Sequence, residues 1–159
     1  MRTLFLLLGL VVPIFAGAAR AQAESEPYPL YYAEVVRIID GDTLAVRVKL
    51  WPGLVAEYAV RVRGIDAPEL RRAGCAEERA LAEAARDKVA QLYDIGSEIR
   101  LERVEYDAFS GRVVADVSRW RSDRWLYLGD ELIARGLAVA WIPAMDDVPW
   151  CLMLQAPVD

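Results

Sequence analysis

The chain of 159 residues contains no histidine. That absence excludes His-based nucleophilic triads, imidazole zinc sites and histidine general bases. Catalysis, if present, must draw on carboxylates, arginine, lysine, tyrosine or a metal. Lysine is scarce as well, with Lys49 and Lys88 the only two. Cysteine occurs twice, at Cys75 and Cys151, with no Cys-x-x-Cys pair, which argues against thiol-redox chemistry. There is no internal repeat and no low-complexity tract. The length allows one domain.

What is present begins with a processing signal. Met1-Arg2 is a short positive region, Leu4 to Ala19 is apolar but interrupted by Pro13, and Ala21-Gln22-Ala23 fits a small-residue cleavage site. Residues 1–23 are read as a signal peptide, implying a secreted or periplasmic protein with no stable membrane association after cleavage. A retained anchor is the alternative, although the run is short for a span. Cleavage would remove Arg2 and Arg20 and take the formal charge from −5 to −7. A domain so acidic gains nothing from its global field in approaching polyanions. Export also makes one disulfide the natural use of two cysteines, with two free thiols as the alternative. Such a bridge could stabilise the fold by ~4 kcal/mol.

Residues 24–34 read as a flexible lead-in with Pro27 and Pro29, 35–142 as the folded domain, and 143–159 as a proline-bearing tail, an irregular strap. Tyr31 to Ile39 is rich in Val, Ile and Tyr. In Thr43 to Leu50 the residues Leu44, Val46, Val48 and Leu50 share one face, and Glu57 to Arg63 alternates again after the "WPG" turn. Cys75 to Asp94 changes period and predicts a long helix with a Leu81, Ala85, Val89 and Leu92 stripe. "EIRLERVEY" and "GRVVADV" return to strand character, and "GDELIARG" reads as a short helix. The fold class expected is mainly β with helices (α+β): a five-stranded Greek-key barrel of the OB type. A long helix lies between strands 3 and 4 and a short one follows strand 5. An ordinary α+β sheet is the alternative.

Three clusters could carry chemistry. In "IIDGDTLAV" the Asp40-Gly41 pair suits a turn, and Asp42 follows at the mouth of a strand. In "RVRGIDAPEL" a loop shaped by Gly64 and Pro68 holds Asp66 and Glu69 after Arg61 and Arg63. A hairpin of the two strands would bring Asp42 near Asp66. Two facing carboxylates need a cation between them, and a hard divalent ion with oxygen ligands would serve. Arg112 opens a later strand and could pair with Arg61 around a phosphodiester. Taken singly, Asp42 is a turn residue, Asp66 and Glu69 belong to a solvated loop, and Arg61 is a surface arginine.

The segments "IIDGDTLAV", "VRVRGIDAPE", "YDAFSGRVVADV" and "DELIARGLAVAW", in that order, resemble the staphylococcal nuclease (thermonuclease) family over about Val35 to Trp141. The resemblance implies an OB-fold barrel and a calcium-dependent endonuclease that hydrolyses phosphodiester bonds of DNA or RNA. It implies Asp42 and Asp66 as metal ligands with the Ala67 carbonyl, and Glu69 as the residue that activates water. It implies Arg61 and Arg112 as the groups that hold phosphate and stabilise the transition state. Magnesium or manganese would suit an oxygen-only ligand set equally. Phe109 and Trp141 adjoin the site by motif position and are candidates for stacking on bases, with Arg63, Arg71 and Arg72 adding local positive charge. Trp51, Trp120, Trp125 and Trp150 are read as core or tail packing.

The chain also departs from that pattern. The loop after Glu69, "LRRAG", is short, and the turn before Arg112 carries Phe109 where a tyrosine often sits. The prototype is basic, and its third helix is not evident here. Cys75 and the closing Trp150-Cys151 resemble an exported bacterial subfamily whose disulfide would strap the tail beside the first helix. A net-acidic nuclease with a local cluster of arginines suits short or flexible single strands, and a monomer is expected. Two other readings compete: a non-catalytic OB-fold module binding oligonucleotides or proteins, and a structural calcium-binding domain.

Overall fold

The computed structural model describes residues 29–107 and 111–155. Phe109 and the leader reading of residues 1–23 lie outside the described residues. Alternating apolar residues build a closed five-stranded barrel from β1 (Tyr31–Ile38), β2 (Thr43–Trp51), β3 (Leu54–Val62), β5 (Glu98–Asp107) and β6 (Arg112–Arg121). Neighbours run in the order β3-β2-β1-β5-β6, and a parallel pairing of β3 with β6, Val60 opposite Val113 and Val62 opposite Ala115, closes the ring. With three helices among the described residues, the α+β architecture is consistent with an OB-like barrel. β1 takes in Tyr31 to Glu34, so the barrel begins inside the stretch read as lead-in.

The interior is aliphatic: Val35, Leu44, Val46, Val60, Ile99 and Val117 are all buried. Leu50 departs from the expected face and is exposed, because the β2–β3 hairpin carries it with Trp51 and Leu54 beyond the barrel. Helix α1 (Ala76–Leu92) follows the two-residue strand β4 (Ile65–Asp66) and precedes β5. Its most buried positions are Glu78, Ala82, Ala85 and Val89, whereas Leu81 and Leu92 of the expected stripe are only half-buried. Small residues face inward because the helix presses on a turn. A Cβ built on Gly41 would stand 2.8 Å from the Ala85 Cβ and 2.9 Å from that of Ala67. Gly41 is therefore required by close approach rather than by its backbone angles.

A sixth strand, β7 (Arg124–Tyr127), extends the sheet beyond the barrel, paired antiparallel with β6. Helix α2 (Leu128–Ile133) follows and buries Leu128 and Leu132. β8 (Val139–Ala140) then pairs with β4, setting Asp66 opposite Val139. The tail, read as irregular, contains a short helix, α3 (Trp150–Gln155), held against α1 by the Cys75–Cys151 disulfide. Its Cα–Cα distance is 5.9 Å. Trp120 and Trp125 do not sit in a core. They pair across β6 and β7 on an outer face, edge to face with ring centroids 5.3 Å apart, and the Arg100 guanidinium lies over Trp125. Trp51 is likewise exposed, at the tip of the β2–β3 hairpin.

Gly41→Ala tests the contact between the turn and the helix. The added methyl must push α1 or the Ala67 loop aside, at a cost of ~1–3 kcal/mol. Thermal unfolding is expected to show a lowered midpoint, and an unchanged midpoint would refute so close a contact.

Candidate functional site

The register of β2 with β3 places Thr43 opposite Arg61, so the start of one strand lies beside the end of the other. The Val62 N–H donates to the Asp42 carbonyl at 2.8 Å and locks that junction. Upstream, the Asp40 side chain accepts the Asp42 N–H at 3.2 Å, the hydrogen bond of an Asx turn. Asp40-Gly41 thus makes the turn and Asp42 is presented by it. Gly64, at φ +79°, swings the chain out of β3 into β4, and the β4–β8 ladder fixes Asp66 and Trp141 on the same side.

One guanidinium joins the two predicted carboxylates. Arg61 Nη1 is 2.9 Å from Asp42 Oδ2, and Arg61 Nη2 is 3.0 Å from Asp66 Oδ1. The remaining acceptor positions are also filled. Asp42 Oδ1 accepts from the Thr43 hydroxyl at 2.9 Å, and Oδ2 from the Ala67 N–H at 3.2 Å. Asp66 Oδ2 accepts the Trp150 indole N–H at 2.8 Å. The Trp141 ring lies over Arg61, with its centroid 5.8 Å from the guanidinium carbon. Asp42 is almost fully buried. Burial pushes its carboxyl up to about 7, against the lowering effect of Arg61 and with Asp40 adding to the rise.

These groups line a cleft of about 1000 Å³ that also takes in Arg63, Glu69, Arg72 and Arg112. Every predicted metal, catalytic and substrate residue among the described ones borders it. They do not all point to one spot. The Glu69 carboxylate turns back to accept the Arg71 N–H at 3.0 Å. The Arg63 guanidinium binds the Arg103 and Val114 carbonyls at 2.6 and 3.3 Å and lies 3.2 Å from Glu105 Oε2, tying the barrel wall. Arg112 opens β6 opposite Asp107, with Nη2 4.0 Å from Asp107 Oδ2. Ala67 meets Asp42 through its N–H.

The expected donor set of Asp42, Asp66 and the Ala67 carbonyl is all oxygen, which suits a hard cation, and a buried carboxylate with a raised pKa is a group that such charge would relieve. In this arrangement the place between the carboxylates belongs to Arg61. Among the described residues, only Cys75, Glu78 and Cys151 form a close group of three acidic or sulfur donors. Its two sulfurs are consumed in the disulfide.

Two contributors, Trp150 and Glu78, escaped the sequence reading. Trp150 reaches Asp66 from the tail. Asp40 shapes the turn as expected, and it also raises Asp42. Glu78, buried in the first turn of α1, accepts the Glu69 N–H at 3.2 Å and the Gly74 N–H at 2.7 Å, clasping both ends of the short loop. An acidic residue at the third position of a helix is a capping signature, and it was the available signal for Glu78. No protein-family model matches the chain, and no curated protein matches it.

The Asp42 carboxyl sets a pH dependence. Its folded pKa of about 7 lies above the ordinary 3.8. Its contribution to stability is therefore full below 3.8 and lost as pH rises through about 7. Asp42→Asn removes the titration yet can keep its contacts, the amide oxygen facing Arg61 and Ala67 and the NH2 facing Thr43. Thermal melts in EDTA are expected to show wild type losing stability relative to the variant between pH 4 and pH 7, with the variant the more stable at pH 8. Parallel profiles would refute the assignment.

Proposed function

We propose that this protein is a divalent-cation-dependent nuclease of the staphylococcal nuclease type, hydrolysing phosphodiester bonds in flexible single-stranded DNA or RNA. The observation that carries the proposal is the Arg61 guanidinium bridging Asp42 and Asp66 in a cleft that Arg112, Glu69 and Trp141 also border. A purely structural ion pair would have no use for that company. The helix placement of the family, one long helix before the fourth barrel strand and a short one late in the chain, is compatible with the element order.

In this reading the Arg61 guanidinium yields its place between Asp42 and Asp66, which with the Ala67 carbonyl would hold the cation. Bound there, calcium or a similar ion would supply Lewis acidity and neutralise phosphate charge. The chain's own groups do the rest. Arg61 and Arg112 grip non-bridging phosphate oxygens and stabilise the charge that grows as water attacks. Glu69 takes the proton of that water, its carboxylate exchanging the Arg71 N–H for the nucleophile. Trp141 offers a ring to a base beside the scissile phosphate. The cleft lining itself is acidic, with four arginines against seven carboxylates, so a bound cation would offset part of that charge and a phosphate would meet the guanidinium groups only at short range.

Nuclease assays on single-stranded DNA and RNA, with calcium, with EDTA and with Glu69→Ala, test the proposal. Cleavage is expected with calcium alone, and Glu69→Ala should lose ~10²–10⁴-fold. Equal cleavage in all three conditions would refute the mechanism. Oligonucleotide binding without cleavage in any of them would instead establish the binding-module reading. The Glu69 carboxylate's present hydrogen bond to its own loop favours testing for that outcome.

A further inference from the structure

The tail touches the site at one atom. The Trp150 indole N–H donates to Asp66 Oδ2 at 2.8 Å, on the carboxylate oxygen that Arg61 does not take. Trp150 is only 6 % exposed. Beyond Trp150 and Cys151, α3 has among the described residues only a long Gln155–Glu77 hydrogen bond of 3.4 Å to α1, and Leu152 is 73 % and Met153 48 % exposed. The helix is secured by Trp150 and by its neighbour Cys151, which is bonded to Cys75 at the N-terminal cap of α1. Four residues on from Gly74, the Glu78 carboxylate lies 3.4 Å from the Cys151 sulfur while it grips the Glu69 and Gly74 N–H groups. A single clasp thus meets both acidic residues of the loop, Asp66 through the indole and Glu69 through its backbone.

We infer that Trp150 is a positioning residue for Asp66, and that the Cys75–Cys151 disulfide keeps it in place. A carboxylate flanked by a guanidinium on one oxygen and a neutral donor on the other is fixed in rotation about its side chain. Without the indole, Asp66 is held by Arg61 alone and turns with it. Without the disulfide, an exposed six-residue helix has only one buried side chain to resist the entropy of release. The consequence for catalysis rests on the nuclease reading. The positioning itself does not.

Two measurements separate these. In the first, hydrogen exchange of the Trp150 indole N–H is followed by NMR in EDTA, where neither cation nor activity enters. Protection is expected in the oxidised protein. It should fall about tenfold or more on reduction and in Asp66→Ala, while the amides of Val60 and Val113 in the barrel stay protected. Unchanged indole protection in either case overturns the inference. Should reduction unfold the barrel, the oxidised Asp66→Ala protein decides alone. In the second, calorimetry with calcium compares wild type and Trp150→Phe, each oxidised and reduced. Phenylalanine keeps the packing and lacks the donor. Either change alone is expected to weaken calcium binding about tenfold, and the two together no further. A disulfide that merely stabilises the fold would weaken both proteins by the same factor, and that result overturns the coupling. Failure of calcium to bind wild type would end the cation reading, leaving the exchange measurement to decide the position of Trp150.

Discussion

Everything around the cleft is arranged about one guanidinium. Asp42 and Asp66 come from separate segments, and two carboxylates brought together repel unless a cation stands between them. Arg61 stands there, next to the last residue of β3 before the chain bends at Gly64, and it meets one oxygen of each. Its position follows from register: Thr43 lies opposite Arg61, which sets that residue beside the end of the Asp40–Asp42 turn. The neutral donors then complete the network, with Thr43 and Ala67 on Asp42 and Trp150 on Asp66. All four carboxylate oxygens are engaged. Such networks rigidify when fully satisfied and are costly when one member is missing.

The same network explains how an acidic chain can keep an oriented arginine on the wall of its cleft. Much of the arginine of this protein is spent on holding neighbouring elements together: Arg47 with Glu34 and Glu57 and Arg103 with Asp116 across strands, and Arg119 with Glu131 between β6 and α2. Arg63 belongs to this group, since its guanidinium binds carbonyls of β5 and β6 next to the irregular register between Glu102 and Glu105. Arg47 also lies between two acids, but what sets Arg61 apart is its place on the wall of the cleft. A guanidinium that two carboxylates hold in place is already oriented, so little rotamer entropy is left to lose when it meets a phosphate. Formal net charge is silent on this distinction, because it counts Arg47 and Arg61 alike.

The barrel was legible because its strands alternate. Leu44, Val46 and Val48, and then Val60 and Val62, fall inward as a period of two requires. The convergence of Asp42 and Asp66 was legible through the expected hairpin. What stayed hidden depends on side chains acting across long separations. Trp150 lies 84 positions from Asp66, and a tryptophan beside a cysteine gives no hint that its indole N–H points at a carboxylate. β7 was hidden for a local reason. Its turn, Ser122-Asp123, has both residues at positive φ with no glycine to announce it. Trp120 and Trp125 were read as packing because large aromatics are usually buried, but a hairpin extending beyond the barrel has no second layer to cover them. Half of the α1 stripe was legible, since Ala85 and Val89 are buried as expected, while Leu81 and Leu92 stay half-buried because the helix makes its closest approach to the Gly41 turn at Ala85.

The shortness of the loop after Glu69 looked like a deficit, yet it changes how the loop is held. A longer excursion could fold on itself. Five residues between Glu69 and Cys75 cannot, so their shape must come from outside. Glu78 provides it by accepting an N–H from each end, and it can do so because α1 begins immediately afterwards and turns this carboxylate back over its own N-terminus. Cys75, the N-terminal cap of that helix, makes no side-chain cap hydrogen bond; its sulfur goes to the tail instead. The helix start thus serves as a junction. It fixes the loop through Glu78, and through Cys75 it fixes the tail that delivers Trp150. The orientation of Asp66 is therefore decided by three stretches of chain: β3 with Arg61, β8 across the ladder, and the tail. Asp42, by contrast, is decided almost wholly by the β2–β3 hairpin and the loop it touches. The two acids are alike in chemistry and share one arginine, but the tail governs Asp66 and leaves Asp42 alone.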